Sequence, residues 1–394
     1  EIALLAKTAG AVVFGSAIHK RDGTDPATYT GKGKMAEITA ACEELEADTI
    51  ICDDELNGSQ IRHISEITGR KVIDRTLLIL DIFAQRAVSA EGKLQVELAQ
   101  LKYRYSRLAG LGLGRSLSRL GGGIGTRGPG ETKLETDRRH IKRRIEHIGH
   151  MLKQTGVRRN RIRQARRDSD TVTIAVVGYT NAGKSTLINV LCESSLYAED
   201  KLFATLDATA RKLPFKEGSD VILMDTVGFI RKLPHQLIEA FNSTLEETAD
   251  ADVIMHVVDS SDPDMVRHME IAEELLVELG ASDKPRITVF NKIDVNRFED
   301  VPYDPGYNTK DGTVIPVSAA TGEGTGYLFE ELRQLAKVGN IAVRIYIPYT
   351  DAGILDFCRK NGSVASVVYE DDCIAADVLM PRSRMARIAS YMIK

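Results

Sequence analysis

The sequence predicts an α/β protein of several domains, and three observations support this. The chain has 394 residues, whereas one domain usually holds roughly 100–200. Short apolar strands alternate with helical stretches through residues 1–90 and again through 171–337, as in parallel α/β sheets. Between them lies a basic segment with two heptad-like apolar seams, which is typical of paired helices. We therefore expect an N-terminal α/β domain (1–90), a two-helix arm (91–168), a larger α/β domain (169–337) and a small α+β domain (338–394).

Composition excludes several classes of protein. Apolar residues make up 43% and charged residues 27% of the chain, which is typical of a globular protein and not of a disordered one. No apolar run approaches the roughly 18 residues that span a bilayer, so we expect no membrane span. The five cysteines are scattered and form no CxxC, which favours a reducing compartment and argues against structural zinc or disulfides. We expect a cytoplasmic monomer.

The net charge of −4 conceals a strong asymmetry. Residues 93–168 contain 20 Lys and Arg but only 6 Asp and Glu, a net charge of +14 that leaves −18 for the rest of the chain. A block this basic in an otherwise acidic protein is typical of a surface for nucleic acid. The alternative is a solvated helical face that the acidic remainder balances.

The first domain is predicted from its alternation of apolar strands and helices. Its glycine- and lysine-rich stretch at 31–34 is interpreted as a loop that enters a helix, with a second nucleotide site or an RNA contact as alternatives. The predicted strands are Ala11–Phe14, Thr49–Cys52 and Val72–Asp74, and the predicted helices are Met35–Leu45 and Ile61–Thr68.

The arm is predicted as two antiparallel helices joined by a long glycine-rich loop. Apolar residues recur every three or four positions over 94–108 and over 141–152. Residues 110–130 contain nine glycines and three arginines but no acid, and Gly110 and Gly112 are predicted to end the first helix. Basic side chains lying mostly off the second seam, and therefore expected to be available to RNA, are Arg138, Arg139, Lys142, Arg143 and Arg144.

The larger α/β domain contains a phosphate-binding motif. Residues 178–185 fit GxxxxGK[ST], directly after the predicted strand Val172–Val177 and before a helix. Glycines let backbone N–H groups surround phosphates, and the helix N-terminus adds a favourable dipole. In this motif the lysine bridges the β- and γ-phosphates, and the serine hydroxyl ligates Mg²⁺. The predicted phosphate-binding residues are Gly178, Tyr179, Thr180, Asn181, Ala182, Gly183, Lys184, Ser185 and Thr186.

Three further motifs each follow a predicted strand (Val221–Met224, Ile287–Phe290 and Val314–Val317). In the first, a carboxylate suits Mg²⁺ and a glycine N–H reaches the γ-phosphate. In the second, Asp294 can accept hydrogen bonds from N1–H and the 2-amino group of guanine, a pair that adenine lacks. The third offers a backbone N–H to guanine O6. Because α/β sheets bind ligands at the carboxyl ends of their strands, these motifs predict a domain that binds GTP and GDP; they are Asp225-Thr226-Val227-Gly228, Asn291-Lys292-Ile293-Asp294 and Ser318-Ala319-Ala320.

The loop before the Asp225 motif is predicted to carry a switch threonine. Phe203 and Ala204 precede Thr205, the expected hydroxyl ligand of Mg²⁺ when a γ-phosphate is present, and Thr209 is the alternative. The predicted metal ligands are therefore Ser185, Thr205 and Asp225, and the predicted catalytic groups are Lys184, Thr205 and Gly228.

Two residues bear on the rate of GTP hydrolysis. Phe229 follows Gly228, where many GTPases place a glutamine that orients the attacking water. Since phenylalanine makes no such hydrogen bond, we expect slow hydrolysis that a partner stimulates. The 178–185 loop is similar to those of potassium-stimulated GTPases, which carry asparagine at the position of Asn181, so this residue either recruits K⁺ or only shapes the loop.

The last part of the chain is predicted as a small α+β domain. Its predicted elements are a strand at Ile341–Ile347, a helix near Ile354–Lys360, strands at Val364–Tyr369 and Cys373–Val378, and a last helix that ends at Ile393.

The chain resembles the HflX-type ribosome-associated GTPases, of the translation-factor-related class of P-loop GTPases. Besides the nucleotide motifs, three stretches carry the resemblance: GGGIGTRGPGETKLE at 121–135, YTGKGK at 29–34, and AFNSTLEE at 240–247 followed by Ala251 and Asp252. One departure is Ala208, where the family commonly has proline; it leaves Thr205 intact.

This resemblance implies an enzyme that converts GTP and water to GDP and phosphate on the large ribosomal subunit. It implies that the arm, residues 93–168, meets rRNA and reaches toward the peptidyl-transferase region, and that stalled or idle ribosomes are separated into subunits. The alternatives are a large-subunit assembly GTPase, an RNA-remodelling NTPase that uses the N-terminal domain, and a module that binds nucleotide without turnover.

Overall fold

A computed structural model describes residues 1–19, 23–117, 129–168, 171–192, 203, 209–213, 215, 221–231, 247–296, 313–338, 340–381 and 384–392. Contacts divide the chain into two compact units. The first contains Glu1–Gly156, Lys201–Leu206 and Lys232–Asn242, and the second contains the rest. The bounds of the four domains expected from the sequence stay predictions.

The first unit begins with a small parallel α/β arrangement, as predicted. Its two strands pair in parallel from Thr49 opposite Lys71 to Cys52 opposite Asp74. The side chains of Met35, Leu56 and Ile64 pack with Val72 in a common core. In chain order the elements are α1 (Ile2–Thr8), α2 (Lys32–Glu44), β1 (Thr49–Cys52), α3 (Gly58–Thr68), β2 (Lys71–Asp74) and α4 (Arg75–Arg86).

Two features of this region differ from the sequence prediction. The strand predicted at Ala11–Phe14 does not form, and Val12 and Phe14 are exposed. An apolar run becomes a strand only where another strand satisfies its backbone groups, and no described strand pairs with it. The sequence analysis also missed α4, which buries Leu78, Ile79, Ile82 and Phe83 and presents polar residues elsewhere.

The arm consists of α5 (Ala90–Leu117) and α6 (Pro129–Asp168). The prediction that Gly110 and Gly112 end the first helix is wrong, because α5 continues through both glycines. A glycine within a helix costs only about 1 kcal/mol relative to alanine, which a helix of 28 residues can absorb. The part of the predicted loop at 118–128 lies outside the described residues.

The second unit contains a six-stranded sheet of order β4-β5-β3-β6-β7-β8. Five strands are parallel, and β4, which the sequence analysis did not predict, pairs antiparallel with β5. The buried core includes Ile174, Leu223 and Val289. The elements are β3 (Val172–Val177), α7 (Lys184–Leu191), β4 (Thr209–Lys212), β5 (Val221–Asp225), β6 (Val253–Asp259), α8 (Met265–Glu278), β7 (Arg286–Asn291), β8 (Thr313–Pro316) and α9 (Thr325–Val338).

The carboxyl-terminal region is an α+β arrangement, as predicted. Three antiparallel strands in the order β10-β11-β9 pack against a helix through Ile345, Leu355 and Val378. The last helix is shorter than predicted, because α-helical bonding ends at Ile388 and a 3₁₀ turn follows at Ala389–Tyr391. The elements are β9 (Asn340–Pro348), α10 (Gly353–Asn361), β10 (Ser363–Tyr369), β11 (Cys373–Pro381) and α11 (Met385–Ile388).

None of the helices in the described ranges combines the length and the apolarity that a membrane span needs.

A fully buried carboxylate, Asp74, organises the first unit. It accepts hydrogen bonds from the backbone N–H groups of Leu56 (3.2 Å) and Leu77 (2.8 Å). It also accepts from the hydroxyl of Tyr103 (3.0 Å) and the guanidinium of Arg107 (2.9 Å). The two backbone bonds join the end of β1 to the start of α4, and the two side-chain bonds bring in α5.

We expect Asp74→Ala to lower the free energy of unfolding by about 3–5 kcal/mol, because it removes the buried carboxylate that pairs with Arg107. It also leaves two backbone N–H groups and the buried Tyr103 hydroxyl without their acceptor. Urea unfolding followed by circular dichroism would measure this change. The control is Asp81→Ala, an exposed carboxylate on the same α4, which should change the free energy by less than about 0.5 kcal/mol. Equal effects of the two substitutions would contradict this account of Asp74.

Candidate nucleotide-binding site

The chain between β3 and α7 forms a tight loop that only particular residues can occupy. Gly178 has φ 151° and Gly183 has φ 88°. A Cβ on Gly178 would lie 2.1 Å from the carbonyl oxygen of Val257, and one on Gly183 would lie 2.2 Å from the Asn291 amide nitrogen. Both positions therefore require glycine. Asn181 is also left-handed, at φ 65°, a conformation that asparagine tolerates.

Lys184, the first residue of α7, points its ammonium group into this loop. Its Nζ donates to the carbonyl oxygens of Gly178 (3.0 Å) and Tyr179 (2.9 Å). Burial lowers the pKa of Lys184 to about 8, and the charge of Asp225 opposes part of this shift. The loop thus holds a desolvated cation beside the backbone N–H groups of a helix start, which is the electrostatic arrangement that favours phosphate.

Two oxygen-bearing side chains meet beside Lys184. The Ser185 hydroxyl donates to a carboxylate oxygen of Asp225 at 2.8 Å, and Asp225 is fully buried at the end of β5. The next residue, Thr226, donates to the Val176 carbonyl oxygen at 2.7 Å and fixes the chain against β3. A hydroxyl and a carboxylate at this distance are the kind of donor set that suits Mg²⁺.

Asn291 connects the phosphate loop with the loop that follows β8. Its amide nitrogen donates to the Ala182 carbonyl oxygen, and its amide oxygen accepts from the Ala319 N–H, both at 2.9 Å. Nearby, the Ser318 hydroxyl donates to one carboxylate oxygen of Asp294 at 2.6 Å. Asp294 itself is exposed, so its carboxylate is presented at the surface at the carboxyl edge of the sheet.

The residue after Gly228 lies against the phosphate loop. The Phe229 N–H donates to the Gly178 carbonyl oxygen (2.9 Å), and the Phe229 carbonyl oxygen accepts from the Thr180 N–H (2.8 Å). The Phe229 side chain is buried. It provides no hydrogen-bonding group for a water molecule, as the sequence indicated.

The structure brings most of the predicted site residues to one edge of the sheet. The phosphate loop, the Asp225 motif, the Asn291 motif and the Ser318 motif all follow the carboxyl ends of parallel strands.

The predicted switch loop is described only in part: Ala204 and Thr205 lie outside the described residues. Phe203 belongs to the first unit, where its buried ring packs edge-on against Phe83 with a centroid distance of 4.7 Å. Its role toward a nucleotide stays a prediction. The alternative switch residue, Thr209, starts β4 opposite Asp225.

Sequence reasoning missed Asp259 and did not predict the side-chain contacts of Tyr179. Asp259 pairs with Lys292 of the base motif at 2.6 Å. Asp259 lies at the end of β6, beside the strands that carry the other motifs, and this position was the sequence signal for a role in the site. Tyr179 accepts a hydrogen bond from the Arg231 N–H at 3.1 Å and stacks on His268. No sequence pattern links these three residues.

Three family models match the chain in order. Residues 1–84 match "GTP-binding GTPase N-terminal", residues 86–166 match "GTP-binding GTPase Middle Region", and residues 173–292 match "50S ribosome-binding GTPase". Together they account for the small α/β region, the arm and most of the six-stranded sheet.

Curated relatives match over most of their own length. GTPase HflX of Caldanaerobacter subterraneus subsp. tengcongensis is 48% identical over 394 residues, which cover 100% of this chain and 90% of the relative. GTPase HflX of Escherichia coli (strain K12) is 42% identical over 334 residues, covering 85% of this chain and 78% of the relative. Among solved structures, a GTP-binding protein from Sulfolobus solfataricus in complex with GDP is 26% identical, with a TM-score of 0.43, and the match covers 85% of this chain and 94% of that one.

The match to the Caldanaerobacter relative covers the whole chain, and so includes the arm, the phosphate loop and the base motif. The chain therefore belongs to the GTPase HflX family and is an enzyme that binds and hydrolyses GTP.

Proposed function

We propose that this GTPase docks on the large ribosomal subunit through α5 and α6, and that its GTP cycle separates stalled or idle ribosomes into subunits in the cytoplasm. The observation that carries the proposal is the net charge of +14 over residues 93–168, within a chain of net charge −4. Its relatives' family name and the description "50S ribosome-binding GTPase" for the match at 173–292 support the same partner.

The two arm helices are held together where their side chains are described. Arg144 of α6 donates to both carboxylate oxygens of Glu97 on α5, at 2.7 and 3.0 Å. The guanidinium of Arg138 lies over the ring of Tyr105, 5.2 Å from its centroid. Ile148 is fully buried. A paired, stiff arm can present charge to RNA without first ordering a mobile chain.

The cations of α6 divide into two groups. Arg144 is engaged by Glu97, which corrects the expectation that it is available to RNA: a bidentate carboxylate holds the guanidinium by two parallel charge-assisted bonds. Arg139, Lys142 and Arg143 are exposed, and Arg139 forms a long ion pair with Glu135 at 3.6 Å. This exposed group supports a phosphate-binding face on α6.

Reversing two exposed arm charges should weaken ribosome binding. We expect Lys142→Glu with Arg143→Glu to lower affinity for large subunits by about tenfold or more, and to reduce the steepness of its salt dependence, because fewer counterions are released. Co-sedimentation with purified large subunits from about 50 to about 200 mM salt measures both effects.

The matched control for this test carries the same change in charge outside the arm. Arg267→Glu with Lys360→Glu alters two exposed cations of the second unit and should leave ribosome affinity nearly unchanged. Loss of binding by the control alone, or equal binding by both variants, would refute the arm as the anchor.

Incubating joined ribosomes with GTP and separating them on a sucrose gradient tests splitting. Binding to free large subunits without splitting of joined ribosomes would favour the assembly GTPase instead.

We also propose roles for the nucleotide-site residues. Lys184 holds the β- and γ-phosphates, Gly228 donates its N–H to the γ-phosphate, and Ser185 and Asp225 would hold Mg²⁺ together with Thr205. Mg²⁺, when bound, offsets the negative charge of the phosphates. The hydroxyl–carboxylate pair of Ser185 and Asp225 supports this assignment, since both oxygens converge within 2.8 Å.

The Phe229 side chain cannot orient water, so the ribosome is proposed to accelerate an otherwise slow hydrolysis. K⁺ binding at Asn181 stays a prediction, because its left-handed φ already accounts for an asparagine there.

Guanine recognition is assigned to Asp294. We expect Asp294→Asn to weaken GTP binding by roughly 100-fold, because an amide cannot accept both hydrogen bonds from N1–H and the 2-amino group. Affinity for xanthosine triphosphate should rise, because the new amide donates where xanthine presents a carbonyl. Competition binding with both nucleotides measures the exchange, and Asp283→Asn, an exposed carboxylate elsewhere in the domain, is the control. Unchanged selectivity in Asp294→Asn would remove this residue from the base site.

Binding of phosphate by Lys184 should depend on pH. The pKa of about 8 belongs to the nucleotide-free protein, and a bound phosphate favours the charged amine and raises this pKa. GDP affinity should therefore decline above about pH 8, by up to roughly tenfold per pH unit. Equilibrium binding from about pH 7 to about pH 9 measures the decline. Lys184→Arg should bind with no such decline, since a guanidinium stays charged. An equal decline in both proteins would assign the effect to another group.

A further inference from the structure

Thr180 of the phosphate loop carries a buried hydroxyl without a hydrogen-bond partner. The residue is only 7% exposed, and no group of the described chain donates to its Oγ1 or accepts from it. A buried hydroxyl left unpaired destabilises a fold, so it calls for an explanation. The phosphate loop holds phosphate through its backbone N–H groups, a role that needs no hydroxyl at this position.

The side chain of Thr180 lies against Gly228. A Cβ on Gly228 would lie 2.9 Å from both Cα and Cγ2 of Thr180, and 3.1 Å from Lys184 Nζ. Thr180, Lys184 and Gly228 therefore lie close around one place. Because we assign the Lys184 ammonium and the Gly228 N–H to the γ-phosphate, the Thr180 side chain borders the position of that phosphate.

The backbone of Thr180 is fixed, whereas its hydroxyl can turn. The Thr180 N–H donates to the Phe229 carbonyl oxygen at 2.8 Å, and the Phe229 N–H donates to the Gly178 carbonyl oxygen at 2.9 Å. Rotation of the Thr180 side chain to the next staggered rotamer brings the hydroxyl to the place of the methyl group. The hydroxyl can thus lie beside Gly228 without any movement of the backbone.

We propose that Thr180 is a catalytic residue of GTP hydrolysis, whose hydroxyl accepts a hydrogen bond from the attacking water. The water oxygen forms a bond to the γ-phosphorus, while the bond from phosphorus to the β–γ bridging oxygen breaks and its electron pair leaves with GDP. One water proton passes to a phosphate oxygen, so the hydroxyl orients the water and is not itself changed. It supplies a contact to water that glutamine makes in many GTPases and that Phe229 cannot make.

A second buried threonine provides a matched control. Thr248 is fully buried, and its Oγ1 also has no partner in the described ranges. Asp252, between Thr248 and β6, donates its N–H to the carbonyl oxygen of Thr173 near the start of β3 at 2.8 Å. This part of the chain therefore lies at the amino edge of the sheet, opposite the nucleotide site. Thr248 matches Thr180 in burial but not in position.

Thr180→Val removes the hydroxyl and keeps the branched shape of the side chain. Without ribosomes, we expect single-turnover hydrolysis of bound GTP to slow by about 10-fold to 100-fold. The dissociation constants of GDP and of a non-hydrolysable GTP analogue should stay nearly unchanged, because the contact with the attacking water acts in the reaction and not in binding. Thr180→Ser, which restores the hydroxyl, and the control Thr248→Val should both hydrolyse GTP at nearly the parent rate.

A transition-state analogue provides a second measurement. Thr180→Val should bind GDP with aluminium fluoride more weakly than the parent protein does, although both bind GDP alone equally well. Equal hydrolysis rates in Thr180→Val and the parent protein, or a loss that Thr180→Ser does not recover, would overturn the proposal. So would an equal loss of affinity for the GTP analogue, since it would assign the hydroxyl to substrate binding.

The proposal rests on the position assigned to the γ-phosphate and not on ribosome docking. That assignment is tested separately by Lys184→Ala, which should weaken binding of the GTP analogue. Unchanged affinity in Lys184→Ala would contradict the assignment of the γ-phosphate, whereas an unchanged hydrolysis rate in Thr180→Val would contradict only the role of the hydroxyl.

Discussion

The side-chain amide of Asn291 is the contact on which the nucleotide site depends. One buried side chain donates to the phosphate loop at Ala182 and accepts from the loop after β8 at Ala319. The contact is so close that Gly183 can carry no side chain. Because Asn291 ends β7, which lies between β6 and β8, the rigid sheet sets the spacing between the loops assigned to phosphate and to guanine. Loop positions that are set by a sheet need little reordering when ligand binds.

Around this fixed frame, charge and backbone geometry make the site switchable. Lys184 is desolvated and held by two loop carbonyls, and Ser185 and Asp225 satisfy each other. Phosphate oxygens can replace the two carbonyl oxygens as acceptors for Lys184. Mg²⁺ can replace the contact between Ser185 and Asp225. The segment after Gly228 is docked on the phosphate loop by hydrogen bonds to Gly178, Tyr179 and Thr180, and the Phe229 side chain is buried. The basic arm has the opposite character, since its charge stays fixed on paired helices.

Much of this fold follows from the sequence, for physical reasons that differ between elements. The central strands of the parallel sheet are buried on both faces, and their continuous apolar runs predicted them to within about one residue. The strand prediction at Ala11–Phe14 was wrong, since apolarity alone supplies no pairing partner. The helix end predicted at Gly110 and Gly112 was wrong as well, because a long helix tolerates isolated glycines. Contacts such as Tyr179 with His268 and Arg231 could not be predicted, because they join residues far apart in the chain without a repeated spacing.

A crystal structure with a non-hydrolysable GTP analogue and Mg²⁺ tests the central claim most directly. The account predicts that Asn291 keeps both hydrogen bonds, at about 3 Å, while the guanine edge meets Asp294. It also predicts that the γ-phosphate lies within hydrogen-bond reach of Lys184 Nζ and of the Gly228 N–H. A nucleotide bound with the Asn291 contacts broken, or a guanine edge that does not meet Asp294, would contradict the account.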